Sequence, residues 1–467
     1  MLNRTTLCLI ALSMLGACAG GPALDPGDPP MQPVFRQAPP GWVDARPLAA
    51  IERGRWWQVF GDPRLEAMAE RVMSANQDVA AAAAAVEQAQ AALRESRAAL
   101  WPSVGVDASA TRSGGSTVAG AGGEAGSGRR LQAGVGVRWE PDLFGRLRGG
   151  VGAARAQARA SEADLAAVRL SAVAALAGNW FQLRSTDREI ALLRETVTGY
   201  DRVAQIARNR YDAGVAPRSD LLQAQTQLAN AQAELSTLQR QRGTLEHALA
   251  VLQGLPPGTF ALAPDAAPLP AAPVVPTGVP STLLQRRPDI AAAAQRMAAA
   301  NERVGIARTG YFPSLSLSAS GGGSAARLAD LFSANVWSLG LSLAQTVFDA
   351  GATRARVDQA RAGWAQSVAQ YRQTVLVAFQ DVEDQLALLT ALQQQQALRE
   401  QAAEAAGQTE QQVLNRYRAG LVGFSEVVQA QVASLNARRA LTRLAADRSV
   451  ATVGLIQALG GGWSSGG

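Results

Sequence analysis

RYDAGVAPRSDLLQAQ at residues 210–225 is written a second time, with substitutions, as RYRAGLVGFSEVVQAQ at 416–431. Each copy holds Arg-Tyr, two further residues, Gly, a gap, an acid, two apolar residues and Gln-Ala-Gln. Gly214 and Gly420 mark where the backbone can turn, because glycine enters the left-handed region without a Cβ penalty. Proline-free runs rich in Ala, Leu and Gln flank both copies, so each phrase reads as the turn of a helical hairpin. One phrase at two places 206 residues apart predicts an internally duplicated chain.

Working outward, the two halves match in order. Asp289-Ile290-Ala291 answers Asp78-Val79-Ala80, and Phe312-Pro313-Ser314 answers Trp101-Pro102-Ser103, both at an offset of 211. Phe348 answers Phe144 at an offset of 204, so the first hairpin loop is about seven residues longer. A helical run over about 63–100 begins behind Asp62-Pro63 and stops at Trp101-Pro102. The period then becomes two. Val104, Val106, Ala108 and Ala110 alternate with Ser103, Gly105, Asp107 and Ser109, and Leu131 to Trp139 alternate in the same way. Leu315, Leu317 and Ala319, then Trp337, Leu339, Leu341 and Leu343, repeat the pattern in the second half.

The predicted organisation follows. Residues 1–17 form a signal segment and 18–62 a Pro/Gly-rich tether and N-terminal segment. The first repeat is 63–253: helix, β-hairpin at about 101–140, a long helix over about 151–210, a tip turn at about 211–218, and a returning helix. Residues 254–280 carry eight prolines and read as a linker. The second repeat is 281–459, with its hairpin at about 312–348 and its tip turn at about 417–424, and 460–467 is a Gly/Ser tail.

At 1.5 Å per residue the long helix predicts a rod of about 90 Å, and the two shorter helices of a repeat sum to nearly that length. Such rods need neighbouring rods to bury their Ala/Leu stripe. Each strand has about ten residues, the length of a tilted membrane strand. One face is apolar and the other carries Ser, Gly, Gln and Arg, the pattern of a lipid face and a wet lumen. A half-buried strand of a soluble sheet alternates equally, so this choice leans on the signal described below. Four strands leave two open edges, which a bilayer does not tolerate. Two copies would close eight strands around their own side chains; three would close twelve around a lumen.

Composition excludes much else. Charged residues are 18% and the net charge is +6, with Arg as the only strong base. Those arginines are dispersed among acids and glutamines, as on solvated helix surfaces, and give no nucleic-acid footprint. The single histidine, His247, lies on an Ala/Leu helix with no catalytic partner signature. GGVGAARAQ at 149–157 departs from a dinucleotide fingerprint and reads as a strand-to-helix junction. No enzyme, cofactor or metal site is expected.

The N-terminus, MLNRTTLCLIALSMLGAC, has a basic residue, a short apolar run and Leu15-Gly16-Ala17-Cys18. It resembles a bacterial lipoprotein signal cut before Cys18, which would then carry lipid (palmitate among its acyl chains). Ala19 in place of Asp implies the outer membrane. Cleavage there leaves one cysteine, so no intrachain disulfide can form.

WWQVFGDPRL at 56–65, WEPDLFGRLR at 139–148, LLQRRPDIAAAAQRMAAANERVGIARTGYFPSLSLSASGG at 283–322 and RYDAGVAPRSDLLQAQTQLANAQ at 210–232 resemble the outer membrane factor, or TolC-like, family, in its lipoprotein branch associated with RND-type efflux. The resemblance implies a mainly α protomer with membrane β. Three copies would form a homotrimer with a 12-stranded outer-membrane barrel continued by a periplasmic α-helical tunnel. It implies a passive exit duct, docked through a periplasmic adaptor onto an inner-membrane pump, with no enzymatic step. The duplicated phrase would lie at the periplasmic tip, where Asp220 and Glu426 ring the entrance. A further family acid falls on Gln429, so this ring carries less negative charge. Tyr211 and Tyr417 match tip tyrosines, Tyr417 on the moving inner hairpin, and Arg218 and Arg416 are placed to bond neighbouring hairpins. A type I protein secretion duct of the same fold is an alternative. So is a periplasmic coiled-coil scaffold lipoprotein, which leaves the four alternating segments unexplained.

Overall fold

The computed structural model describes residues 24, 27, 35–36, 55–114, 128–275, 286–331, 333 and 335–461. The signal at 1–17, Cys18, most of the tether, the helix start expected at 281–285 and most of the 460–467 tail lie outside the described residues.

A 3-10 turn at Trp56–Phe60 leads into α1 (Pro63–Ala75) and α2 (Gln77–Ala98), then β1 (Ser103–Ser113) and β2 (Gly128–Trp139). Next come α3 (Arg146–Asp212) and α4 (Arg218–Leu252). After the Pro-rich stretch follow α5 (Pro288–Thr309), β3 (Ser314–Ala325), β4 (Asn335–Ala344), α6 (Ala352–Arg418) and α7 (Phe424–Ala458). The duplication is legible in lengths: 22, 67 and 35 residues for α2, α3 and α4, and again for α5, α6 and α7. A 67-residue helix is about 100 Å long.

Two boundaries differ from the periodicity reading for definite reasons. The run 63–100 is two helices, because Asn76 leaves helical geometry at ψ 131° and its Oδ1 accepts from the Val79 amide at 3.0 Å, capping α2. The Asn76 amide donates to the Leu252 carbonyl at 2.8 Å, and Gly254 lies so near Ala75 that a Cβ would meet its carbonyl oxygen. The long helix α3 begins five residues earlier than about 151, because Asp142 accepts from the amides of Leu147 and Arg148 at 3.1 and 2.8 Å. GGVG at 149–152 therefore sits inside the first turns of α3. A Cβ on Gly152 would stand 2.8 Å from the Glu302 carboxyl and one on Gly149 3.0 Å from Ile306, so these glycines let α5 approach α3 closely.

The chain divides into two compact units. One comprises mainly 85–162 and 292–372; the other mainly 55–84, 163–291 and 373–461. The first holds a four-stranded antiparallel sheet in the order β1-β2-β3-β4, leaving one edge of β1 and one of β4 unpaired among the described residues. Its register aligns the apolar positions of all four strands. Val104 faces Val137, Val137 faces Ala319, and Ala319 faces Leu339. Val106, Val135, Gly321 and Trp337 form the next row. One face is thus apolar across these rows, with Asn335 and the Arg112–Arg129 pair towards the loop end, and Val106, Trp337 and Leu339 are about four-fifths exposed in the single chain. The other face carries Ser103, Arg138 and Ser318 in one row, and a hydrogen bond between the Ser320 and Ser338 hydroxyls at 2.8 Å in another.

In the second unit the helices bury Trp56, Trp180, Phe181 and Leu183, and tie their polar stripes together by ion pairs. Buried Glu189 on α3 accepts from Arg439 and Arg443 on α7, with Arg439 reaching Glu234 on α4 at 2.7 Å. Asp187 accepts from Arg242 at 2.6 Å, and Arg242 also donates to the Leu262 carbonyl. Removing Arg242 would strand the Asp187 carboxylate, which is almost fully buried, at a cost of about 3–5 kcal/mol. No helix among the described residues is long and apolar enough to cross a membrane.

Candidate functional site

The repeated phrase builds two near-identical turns. The C-terminus of α3 ends with Gly214 at φ +69°, and that of α6 with Gly420 at φ +74°. At the first turn the Gly214 amide donates to the Tyr211 carbonyl at 2.9 Å and the Val215 amide to the Arg210 carbonyl at 3.0 Å. At the second, Gly420 donates to Tyr417 and Leu421 to Arg416, both at 2.9 Å. These are Schellman caps, and they explain the spacing Arg-Tyr-x-x-Gly: the two carbonyls that need donors belong to Arg and Tyr. The helices restart three residues after each cap, with Pro217 and Gly423 as N-caps lacking a side-chain acceptor. Asp220 and Glu426 then occupy the same first-turn position, where the helix dipole favours an anion. Gln429, one turn further on, is exposed.

The sequence repeats, but the surroundings do not. Tyr211 is 39% exposed, whereas Tyr417 is 2% exposed. Tyr417 sits in a cluster with Val203, Ala207, Ala224, Phe424 and Val427, drawn from both hairpins. Its ring meets Phe424 at 5.4 Å between centroids. The Arg210 guanidinium lies over that ring at 4.9 Å, and its Nη1 donates to the Tyr417 backbone carbonyl at 3.0 Å. Arg210 thus bridges hairpin one to hairpin two. The Tyr417 hydroxyl is buried and has no hydrogen-bond partner among the described residues. Burial pushes its phenol above the ordinary range; the Arg210 charge pulls down and Asp220 pushes up, and the net direction is upward.

Arg218 and Arg416 are exposed, and neither forms a hydrogen bond through its side chain or an ion pair among the described residues. The arginine that joins the two turns at the tip within one chain is Arg210, which local reading passes over because its partner lies 207 residues away. Only the comparison of the two copies could have flagged it, since Arg210 and Arg416 occupy equal places and one of them alone finds a neighbour. At the apex of each turn a large apolar side chain faces outward: Val215 is 66% exposed and Leu421 70%. His247 is exposed on α4, and among the described residues no group of His, Cys, Asp and Glu could hold a metal ion.

The family model described as outer membrane efflux protein matches residues 69–255 and 279–461, one match per repeat. The chain is 32% identical to the pyoverdine export outer membrane protein OpmQ of Pseudomonas aeruginosa, across 99% of this chain and 98% of that one. Among solved structures it is similar to the outer-membrane channel OprN, with 30% identity, a TM-score of 0.83, and coverage of 96% of this chain and 100% of that one. It is also similar to the open state of the Neisseria gonorrhoeae MtrE outer membrane channel, at 26% identity and a TM-score of 0.79, covering 95% and 98%.

Proposed function

Because the chain belongs to the outer membrane efflux protein family, we propose that it works as a homotrimer whose twelve strands close one barrel and whose six helical tips gate one tunnel. It is an outer-membrane component of an efflux system, with the mainly helical, four-stranded protomer of outer-membrane channels. The family is one of transport channels. The observation that carries the trimer is the sheet: a largely apolar face with two edges unpaired among the described residues. In a bilayer each unpaired backbone group costs several kcal/mol, so β1 and β4 must pair with further copies. Twelve strands leave room for a lumen that eight would fill.

The tips supply the gate. Three protomers bring three copies of Asp220 and of Glu426 to one axis, while Gln429 adds no charge. Tyr417, Tyr211, Arg218 and Arg416 stand around them, and Gly214 and Gly420 set the turns. Arg210 holds the Tyr417 hairpin against its neighbour in the resting state. The exposed Val215 and Leu421 suit docking to a periplasmic adaptor, which would couple the duct to an inner-membrane pump of the RND type. Cys18 carries lipid and adds a second attachment to the outer membrane.

Native mass measurement of detergent-purified protein tests the assembly. A trimer that conducts ions in planar bilayers is expected. A stable monomer would remove both barrel and tunnel.

A further inference from the structure

The lipid face of the sheet ends abruptly in arginine. Passing from the helix-attached end towards the loops, the rows are apolar up to Ala110 opposite Leu131 and Leu131 opposite Ala325. In the next row on that face Arg112 lies directly opposite Arg129. Arg327 follows two residues after Ala325, as Arg129 precedes Leu131 by two, so it leaves the sheet at the same level. Arg112 and Arg129 are exposed, and neither has an acidic partner among the described residues. Asp330, the acid three residues beyond Arg327, makes no ion pair with it among the described residues.

Directly opposed residues of an antiparallel pair stand about 5 Å apart, and like charges there repel. Two arginines on a lipid-facing surface need an anion, and the planar guanidinium matches phosphate through paired N–H donors. The position fits: at the rim of the apolar band a charge costs little, and headgroup phosphates lie at that depth. Arg130, the next residue, faces Thr111 on the opposite, lumenal face. The charge is therefore placed on the lipid side by register and is not a general basic edge.

We propose that Arg112 and Arg129, with Arg327 beside them, form a site for the phosphate of an anionic lipid headgroup in the leaflet reached by the helix-distal end of the barrel. The inference rests on the outer-membrane barrel reading. The site would pin the height of the barrel in the bilayer and recruit one phospholipid or phosphoglycolipid headgroup per protomer.

Native mass spectrometry of the full-length, detergent-purified protein tests it, with bis-phosphorylated lipid A as probe and its dephosphorylated form as control. The wild-type trimer should retain the phosphorylated probe preferentially. At roughly fivefold per arginine near a membrane surface, Arg112→Gln with Arg129→Gln should weaken retention roughly 30-fold, and either change alone roughly fivefold. Arg130→Gln should leave retention unchanged. Equal retention of both probes by the wild type overturns the site. So does an equal loss in Arg130→Gln, or no loss in any Arg112 or Arg129 variant. A wild-type preparation without trimers would instead sink the duct reading, so the two failures are distinct.

Discussion

Arg210→Ala should open the duct, and Arg416→Ala should not. Arg210 donates from Nη1 to the Tyr417 carbonyl at 3.0 Å and stacks over the Tyr417 ring at 4.9 Å, at a half-buried position. A hydrogen bond from a charged donor contributes about 1.5 kcal/mol at the low end, and a partly exposed cation–π contact about 0.5 kcal/mol. The sum is about 2 kcal/mol per protomer, or about 6 kcal/mol if three tips move together. Converting a closed-to-open ratio from 99:1 to 1:99 takes about 5.5 kcal/mol, so this latch is large enough to matter. Arg416 sits in the equivalent place of the second copy with no bridge, so its loss should move the balance by less than about 0.5 kcal/mol. Arg210→Lys should fall between, because an ammonium keeps the charge but lacks the planar stack. Tyr417→Phe should differ little from wild type, since it removes a hydroxyl that has no partner and keeps the ring and the carbonyl. Single-channel conductance and open probability in planar bilayers are the readout, with native mass as the control for assembly. Equal effects of the Arg210 and Arg416 substitutions, or a silent Arg210→Ala, would refute the latch.

Three further outcomes are expected. Leu341→Arg, on the apolar face, should cost about 2–4 kcal/mol near the bilayer midplane, while Ser342→Arg, one residue along and lumenal, should be milder in the denaturation midpoint of the trimer. Asp220→Ala with Glu426→Ala should weaken block by multivalent cations added from the tip side; unchanged block would leave these acids as first-turn helix residues only. Cys18→Ser should abolish acylation of the mature N-terminus by mass spectrometry, and the protein should still partition into outer membrane through its strands.

The order of elements was legible because two periods and one repeated phrase dominate the chain. Alternation at Val104 to Ala110 and Leu339 to Leu343 marks strands wherever one face meets a different solvent, and the register confirms that these faces coincide. The break at Asn76 barely disturbs the 3.6-residue period of the 63–100 run; its signal is the side chain that caps Val79. The start of α3 escaped because Asp142 reaches five and six residues ahead, beyond a normal N-cap. At the tip, sequence could place Gly214, Gly420, Asp220 and Glu426, whose roles depend on local backbone. It could not show that Tyr417 is buried and Tyr211 exposed, because that is decided by which hairpin packs against which.

Asp142 is where a strand is joined to a 67-residue helix, and its charge should be measurable there. Its carboxylate accepts from the amides of Leu147 and Arg148 and pairs with the Arg148 guanidinium at 3.2 Å. Burial pushes its pKa up, but the Arg148 and Leu147 amides and the Arg148 charge outweigh burial and hold it below the usual carboxylate value. A depressed pKa contributes stability that is fully present above the unfolded-state value, near 3.8, and is lost as pH falls through the lower folded-state value. Asp142→Asn keeps the shape and removes the charge, so it should cost about 1 kcal/mol at pH 7, as lost caps do. That difference should shrink below pH about 4 and vanish once Asp142 is itself protonated. Thermal scans of the trimer at one fixed rate, at neutral and acid pH, separate the outcomes. A gap between wild type and variant that stays constant with pH would mean the carboxylate acts as a neutral cap, and the start of α3 would have to be explained without its charge.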